Sequence, residues 1–221
     1  MDDSDVTIII PTLNEQGNIG KVIHDLKQLH PNIKVYVTDD GSSDQTQAIA
    51  RRAGAIIIDR TQRRVKGITA SVVEVLQQVN TKKIVVMDGD LQHPPEKVQE
   101  MIRALDDADL VIAVREKVIG PWGFFRKLES KIATGLVKVR LRKNIQDPLS
   151  GFFGFRKELV LNLNLQKFEM CCFKILFNLL KNIDLPKTRF TYVYYYFDIR
   201  KNGKSKLGAK QVYHFIRNLL T

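Results

Sequence analysis

Cysteine is scarce in this chain: there are two in 221 residues, and Cys171 and Cys172 are adjacent. Neighbouring cysteines cannot staple distant segments, and no Cys/His spacing of a zinc site surrounds them, so neither a disulfide framework nor a zinc ribbon is expected. This usage fits a reducing compartment. Long apolar runs are missing too. The best one, Met170 to Leu180, is interrupted by Lys174 and Asn178, falls short of the roughly 20 apolar residues of a membrane span, and reads as a core helix. The start, Met1-Asp2-Asp3-Ser4-Asp5, is acidic where a signal peptide needs a basic region. There is no internal repeat, low-complexity tract or interdomain linker. One α/β domain over 1–221 is therefore expected, with enough chain to bury a substantial core.

Acid is the scarcer charge. Lys and Arg number 35 against 24 Asp and Glu, a net charge of +11. That surplus favours anionic partners: nucleic acid, an acidic membrane or phosphorylated substrates. The few acids are concentrated. Val6-Thr7-Ile8-Ile9-Ile10 is an apolar strand running into Pro11-Thr12-Leu13-Asn14-Glu15, where Pro11 is expected to stop ladder pairing. Ile33 to Val37 ends in Asp39-Asp40-Gly41-Ser42-Ser43-Asp44, and Lys83-Ile84-Val85-Val86 ends in Met87-Asp88-Gly89-Asp90-Leu91-Gln92-His93-Pro94-Pro95-Glu96.

Strands are expected near 6–10, 33–38, 55–59, 83–87 and 109–114, alternating with helices over 15–29, 44–53, 67–79 and 95–106. This order predicts a predominantly parallel sheet with helices on both faces. A helix over 122–143, a strand at 152–156, a helix over 169–181, a strand at 190–198 and a helix from 208 follow. Ligands of such sheets sit beyond the carboxyl ends of the strands, so the acid-bearing loops predict one shared pocket. A lone Asp-x-Asp also occurs in ordinary turns. At the end of a buried strand, however, Asp88 and Asp90 can converge on one hard divalent cation, with Gln92 as a third oxygen ligand; Mg²⁺ and Mn²⁺ have this preference. Asp44 reads as a cap of the following helix. Asp40 does not, because two successive acids before a Gly exceed what one cap needs. His93 is read as orienting its loop.

Together these segments resemble the family 2 glycosyltransferases of the GT-A fold, in their polyprenyl-phosphate branch, which includes the dolichol-phosphate mannose synthases. Phe125-Arg126-Lys127-Leu128, Asp147-Pro148-Leu149-Ser150-Gly151-Phe152-Phe153, Phe173-Lys174-Ile175-Leu176 and Ser205-Lys206-Leu207 extend the likeness over almost the whole chain. The resemblance implies inverting, metal-dependent transfer of a hexose to a dolichyl or other polyprenyl phosphate at the cytoplasmic membrane face. GDP-mannose is the first-choice donor, since Asp-Leu-Gln-His-Pro-Pro resembles the mannose branch; UDP-glucose or another UDP-hexose is the alternative. It implies Mg²⁺ or Mn²⁺ on Asp88, Asp90 and Gln92. Pro11, Leu13, Glu15, Asp40, Asp88 and Arg115 would form the nucleotide site. Asp90, Arg126, Arg200 and Lys206 would be the catalytic set, and Arg126, Ser205 and Lys206 would hold the acceptor phosphate. Residues 1–115 would be the nucleotide- and metal-binding half and 116–221 the acceptor half. Asp147 is expected to pin its loop or position the sugar.

Three positions depart from the branch pattern: Leu13 for Tyr, Gly89 for Ala and Asn178 for Glu. On the 122–143 helix, Phe125, Leu128, Ile132, Leu136 and Val139 form one apolar stripe, with Lys127, Lys131 and Lys138 on another side. This reads either as an ordinary helix packed on the domain by that stripe or as an interfacial helix on an anionic membrane. The sequence stops at Leu219-Leu220-Thr221 inside a helical pattern, which suggests a chain continuing into a membrane anchor. A nucleic-acid-binding module is the competing class. It lacks a recognition motif here, and no nucleic acid is expected as a partner. A noncatalytic nucleotide-sugar scaffold is a further alternative, against which the intact Asp88, Asp90 and Gln92 argue.

Overall fold

The first strand shows how the sequence builds the domain. Ile8 and Ile10 point to one side of the sheet and Ile9 to the other, all of them fully buried, as a period of two requires when both faces are covered. Burying each such side chain contributes about 2 kcal/mol. The computed structural model describes residues 3–118, 124–168, 170–197 and 209–220, with side chains at all of these except 117–118, 124–130 and 209–211.

Strand β1 (Val6–Thr12) leads to helix α1 (Ile19–Leu29), β2 (Lys34–Asp39), α2 (Thr46–Arg52), β3 (Ile56–Asp59), α3 (Ile68–Leu76), β4 (Lys83–Val86), α4 (Lys97–Ala104) and β5 (Leu110–Val118). Next come α5 (Phe124–Leu141), β6 (Phe153–Arg156), the single turn α6 (Glu158–Leu161), α7 (Ile175–Asn182), β7 (Phe190–Phe197) and α8 (Ala209–Leu220). The strands form one sheet of order β3-β2-β1-β4-β6-β5-β7. All pairings are parallel except those of β6, which runs antiparallel between β4 and β5.

Helices α1 and α4 bury Val22, Leu26, Val98 and Met101 against one face. Helices α3 and α7 bury Val72, Leu76, Leu176 and Leu180 against the other. A third cluster, Val137, Leu149, Phe177 and Phe215, joins α5, α7 and α8.

The expected α/β layout is therefore present, with three local corrections. Residues 15–18 precede α1, and α7 starts at Ile175 rather than near 169. Pro11 does not stop pairing altogether: β1 continues to Thr12, with Pro11 opposite Thr38 of β2. Ile9 receives the Met87 N–H from the β4 side. Pro11, two residues on, turns its missing donor to that same side, where the ladder with β4 has already ended.

Candidate active site

The strand order reverses between β1 and β4. A crevice at such a switch point, beyond the strands' carboxyl ends, is where open α/β sheets hold ligands. The loops after β1, β2 and β4 meet there. Ser42 Oγ accepts the Asn14 N–H at 2.7 Å, and Asn14 Oδ1 accepts the Ser43 N–H at 2.8 Å, while Thr46 Oγ1 accepts the Glu15 N–H at 2.8 Å. Asn14 adopts φ of 51°, a conformation Asn tolerates. Buried Glu15 accepts a bond from Asn18 Nδ2 at 3.0 Å. Pro11 and Leu13 are half-buried beside it.

The two acids after β2 do different work. Asp39 is fully buried. Its Oδ1 accepts the N–H groups of Gly41 (3.1 Å) and Ser42 (2.7 Å) and Gln47 Nε2 (3.0 Å). Its Oδ2 takes the Thr12 hydroxyl (3.2 Å) and the Ser42 hydroxyl. Asp40 accepts Arg60 Nε and the Gly67 N–H, each at 2.7 Å and each on its own oxygen. Arg60 is buried and also binds Glu74 and the carbonyls of Val65 and Ala70. Asp40 thus anchors the 60–67 loop. Asp44 accepts the Thr46 N–H at 2.9 Å and the Gln16 N–H at 3.2 Å, closing the turn into α2. Burial raises its carboxyl pKa, but these bonds outweigh that and hold it below its ordinary value.

After β4, Asp90 is buried (3% exposed), while the Asp88 side chain is 41% exposed. Leu91 takes φ of 65°, a strained value for a branched side chain, and the Gln92 N–H reaches Asp90 Oδ1 at 3.1 Å. His93 is buried, stacked on Phe152, with Nδ1 accepting the Asp88 N–H at 2.9 Å. That bond leaves the proton of the neutral ring on Nε2, 3.8 Å from Asp88 Oδ2. His93 therefore orients the Asp88 loop, as the sequence suggested.

Among the described residues no three His, Cys, Asp or Glu side chains cluster as a metal cage. Two carboxylates and an amide on one strand-end loop, one carboxylate open to the crevice, instead fit a hard cation that keeps positions for substrate oxygens. Gly89 also has a local cause: a Cβ there would lie 3.1 Å from Ile10 Cγ2 and 3.3 Å from Ile19 Cδ1, so even alanine crowds the core.

Asp88 opens into a pocket of about 130 Å³ whose walls include Arg115, Gly151, Phe173, Lys174 and Tyr195. Gly151 gives the Asp88 carboxylate its room, since a Cβ would sit 2.9 Å from Asp88 Oδ2 and displace it. Asp147 holds Arg115 through both its oxygens, at 2.7 and 2.8 Å. Burial disfavours the Arg115 cation, but this carboxylate outweighs it and raises the guanidinium above its usual value. Burial, and then the Arg115 charge, push Lys174 below the ordinary lysine range against the pull of Asp88 and Asp147. Burial likewise drives the Tyr195 phenol far upward, Arg115 opposing.

The structure thus brings Asp88 and Arg115 to one pocket, with Asp90 and Gln92 on the loop that carries Asp88. Arg200, Ser205 and Lys206 lie outside the described residues, as does the Arg126 side chain. Sequence reading missed Arg60, which looks like part of a solvated basic run, and gave no separate role to Lys174, Gly151 or Tyr195.

The family model described as Glycosyl transferase family 2 matches residues 7–163. The chain belongs to that family. This family 2 domain is 34% identical to a dolichol-phosphate mannosyltransferase of Pyrococcus furiosus, over 97% of the chain and 62% of that relative's length. It is 29% identical to the Saccharomyces cerevisiae dolichol-phosphate mannosyltransferase, over 96% of the chain and 85% of the relative. An Edwardsiella ictaluri undecaprenyl-phosphate 4-deoxy-4-formamido-L-arabinose transferase is 25% identical over 98% of the chain and 67% of its own length. A Mycobacterium tuberculosis glucosyl-3-phosphoglycerate synthase shares the fold, with a TM-score of 0.73 at 21% identity over 97% of the chain and 79% of that structure.

Proposed function

We propose that this domain transfers a hexose, with inversion, from a nucleotide diphosphate sugar to a polyprenyl phosphate. The carrying observation is the convergence of the Asp88 loop and the Arg115–Asp147 pair on one pocket beyond the carboxyl end of β4. The mannosyltransferase names of the first two relatives favour GDP-mannose as donor, ahead of a UDP-hexose, and dolichyl phosphate or a related lipid as acceptor.

Asp88, Asp90 and Gln92 would hold Mg²⁺ or Mn²⁺. When bound, the ion neutralises charge developing on the departing diphosphate. Pro11, Leu13, Glu15 and Asp40 form the nucleotide side of the crevice, with Arg115 at the phosphates. Arg126, Arg200, Ser205 and Lys206 complete the phosphate-binding set. A phosphate oxygen of the acceptor forms the new bond to the anomeric carbon as the bond to the nucleotide diphosphate breaks, leaving a phosphodiester and free nucleotide diphosphate. A phosphate monoester is largely dianionic at neutral pH, its second pKa being about 6, so no side-chain base is needed. Asp147, committed to Arg115, positions that cation. Residues 1–115 serve donor and metal, and 116–221 serve the acceptor.

The acceptor's lipid chain requires a membrane face, and α5 and α8 supply one. The α5 stripe expected either to pack or to meet lipid is open to solvent at Ile132, Leu136 and Val139, the last 77% exposed; Ala133, Val137 and Leu141 do the packing instead. Phe125, Leu128 and Lys127 lie outside the described side chains. Helix α8 exposes Val212, Ile216 and Leu220 in turn, the last 79%, and Arg140 Nε of α5 reaches the Leu219 carbonyl at 3.2 Å. Two adjoining helices with outward apolar stripes, and with Lys131 and Arg140 exposed beside them, suit an anionic leaflet. No described helix is long and apolar enough to cross a membrane. Association with the cytoplasmic face through α5 and α8 follows from this reading.

Calorimetric titration with GDP and UDP, each with and without Mn²⁺, tests the donor site. Metal-dependent GDP binding, followed by transfer of mannose to a polyprenyl phosphate, is expected. Metal-dependent UDP binding would replace the donor, and binding of neither nucleotide would overturn the reading.

A further inference from the structure

Lys174 is placed by a device the transfer reading does not use. Residues 170–172 dock on the start of α3: the Thr69 N–H and hydroxyl donate to the Cys172 carbonyl at 3.2 and 2.8 Å, and the Ala70 N–H donates to the Met170 carbonyl at 3.2 Å. Gly67 makes this approach feasible. Its φ is 135°, and a Cβ on it would lie 3.0 Å from the Met170 carbonyl oxygen. The same residue gives its N–H to Asp40. Asn178 Nδ2 donates to Thr69 Oγ1 at 3.1 Å, a bond the glutamate of the branch pattern cannot donate. The strap therefore leaves Lys174 at the pocket wall in a defined position.

There the ammonium is under-used. It donates to the Leu149 carbonyl at 2.9 Å and lies 5.0 Å from the centroid of the Phe173 ring. Its charged neighbours are Arg115, of like sign, and the acids Asp88 and Asp147, the latter already committed to Arg115. An ammonium carries three donors, and among the described residues one carbonyl takes only one from this half-buried lysine at the pocket wall. Tyr195, in the same pocket wall, buries its hydroxyl without a hydrogen-bond partner among the described residues. Two polar groups of one small pocket are thus left incomplete by the protein, and anionic oxygen completes the cation among them.

We propose that Lys174 receives a phosphate oxygen of a substrate in the pocket beside Asp88. This rests on the transfer reading above and adds a binding residue to it. The phosphate is either the acceptor's monoester or the donor's diphosphate; both present the same chemistry to a lysine, which acts as a point charge.

The test is calorimetry on the wild-type chain, Lys174→Met and Lys174→Arg, with three probes: inorganic phosphate, farnesyl phosphate, and GDP with Mn²⁺. Lys174→Met is expected to bind one of the two organic probes about tenfold to a hundredfold more weakly, the range for a hydrogen bond to a charged group. Lys174→Arg should recover most of it. Loss confined to farnesyl phosphate assigns the acceptor, and loss confined to GDP assigns the donor. If wild-type protein binds inorganic phosphate, loses it in Lys174→Met and binds neither organic probe, Lys174 stands and the transfer reading falls. Equal affinity of Lys174→Met and wild type for every probe overturns the proposal, as does wild-type protein that binds none. Thermal midpoints separate a structural role: Lys174→Met should melt no lower than wild type, whereas a lower midpoint with unchanged affinities shows a lysine that only holds Leu149.

Discussion

The rim of the β1/β4 crevice and the outer face of α5 and α8 are opposites. At the rim, polar groups satisfy one another: Asp39 alone receives five donors, and Arg60 ties Asp40 to Glu74. On the helical face, large apolar side chains such as Val139 and Leu220 stand in solvent with no cover among the described residues. Polar groups that hold each other fix a geometry before a ligand arrives, which is what chemistry needs. Exposed apolar side chains fix nothing inside the domain, and their free energy is available only to a second phase. One face is fixed by its own polar contacts, and the other leaves apolar surface uncovered among the described residues.

Substitutions should therefore fail in different ways on the two faces. The largest effect is expected at the rim: Asp90→Ala should lower transfer by about a thousandfold or more through loss of a metal carboxylate. Its circular dichroism and melting curve should stay near wild type, and retained turnover would remove the metal assignment. Next, Arg60→Ala should cost about 3 kcal/mol of stability in urea unfolding, because Asp40 loses its buried cation and Glu74 keeps only the exposed Arg63. On the helical face, Ile132→Ser, Leu136→Ser and Val139→Ser combined should weaken binding to phosphatidylserine vesicles by about 1 kcal/mol per residue. The same triple variant should unfold within about 0.5 kcal/mol of wild type; a large loss of stability would show that the stripe packs inside the protein. The smallest effect concerns Asp44. Its folded pKa lies below the ordinary 3.8, so its contribution is complete above that value and is lost as pH falls through the lower folded one. Asp44→Asn should remove this part of the acid dependence, less than about 1 kcal/mol for so open a group.

Much of the rim was legible because it is local. Each acid-bearing loop directly follows a β-branched strand, and the strand alternation of Ile8, Ile9 and Ile10 states both buried faces. The α5 stripe was legible as a pattern but not in direction, since periodicity gives the angle between faces and not which one meets the core. Arg60 was hidden because a buried arginine and a solvated one are spelled alike, and its partners Asp40 and Glu74 are 20 and 14 residues away. Lys174 was hidden in the same way: its wall is assembled from the loops at 88 and 151 and from Arg115 of β5 and Tyr195 of β7.

Strand β6 has a consequence for how the chain comes to hold its shape. It lies antiparallel between β4 and β5, which do not pair with each other, so neither has a ladder on its inner side until residues 153–156 have arrived. A chain emerging from the ribosome as far as residue 118 carries two unfinished sheet edges, which are templates for unwanted pairing. The Thr69–Cys172 link closes later still, across 103 residues, a separation that slows folding. Severing the chain between its halves should thus yield a sticky fragment rather than a small nucleotide-binding domain. The pocket becomes whole only after Tyr195 and Phe197 have been made.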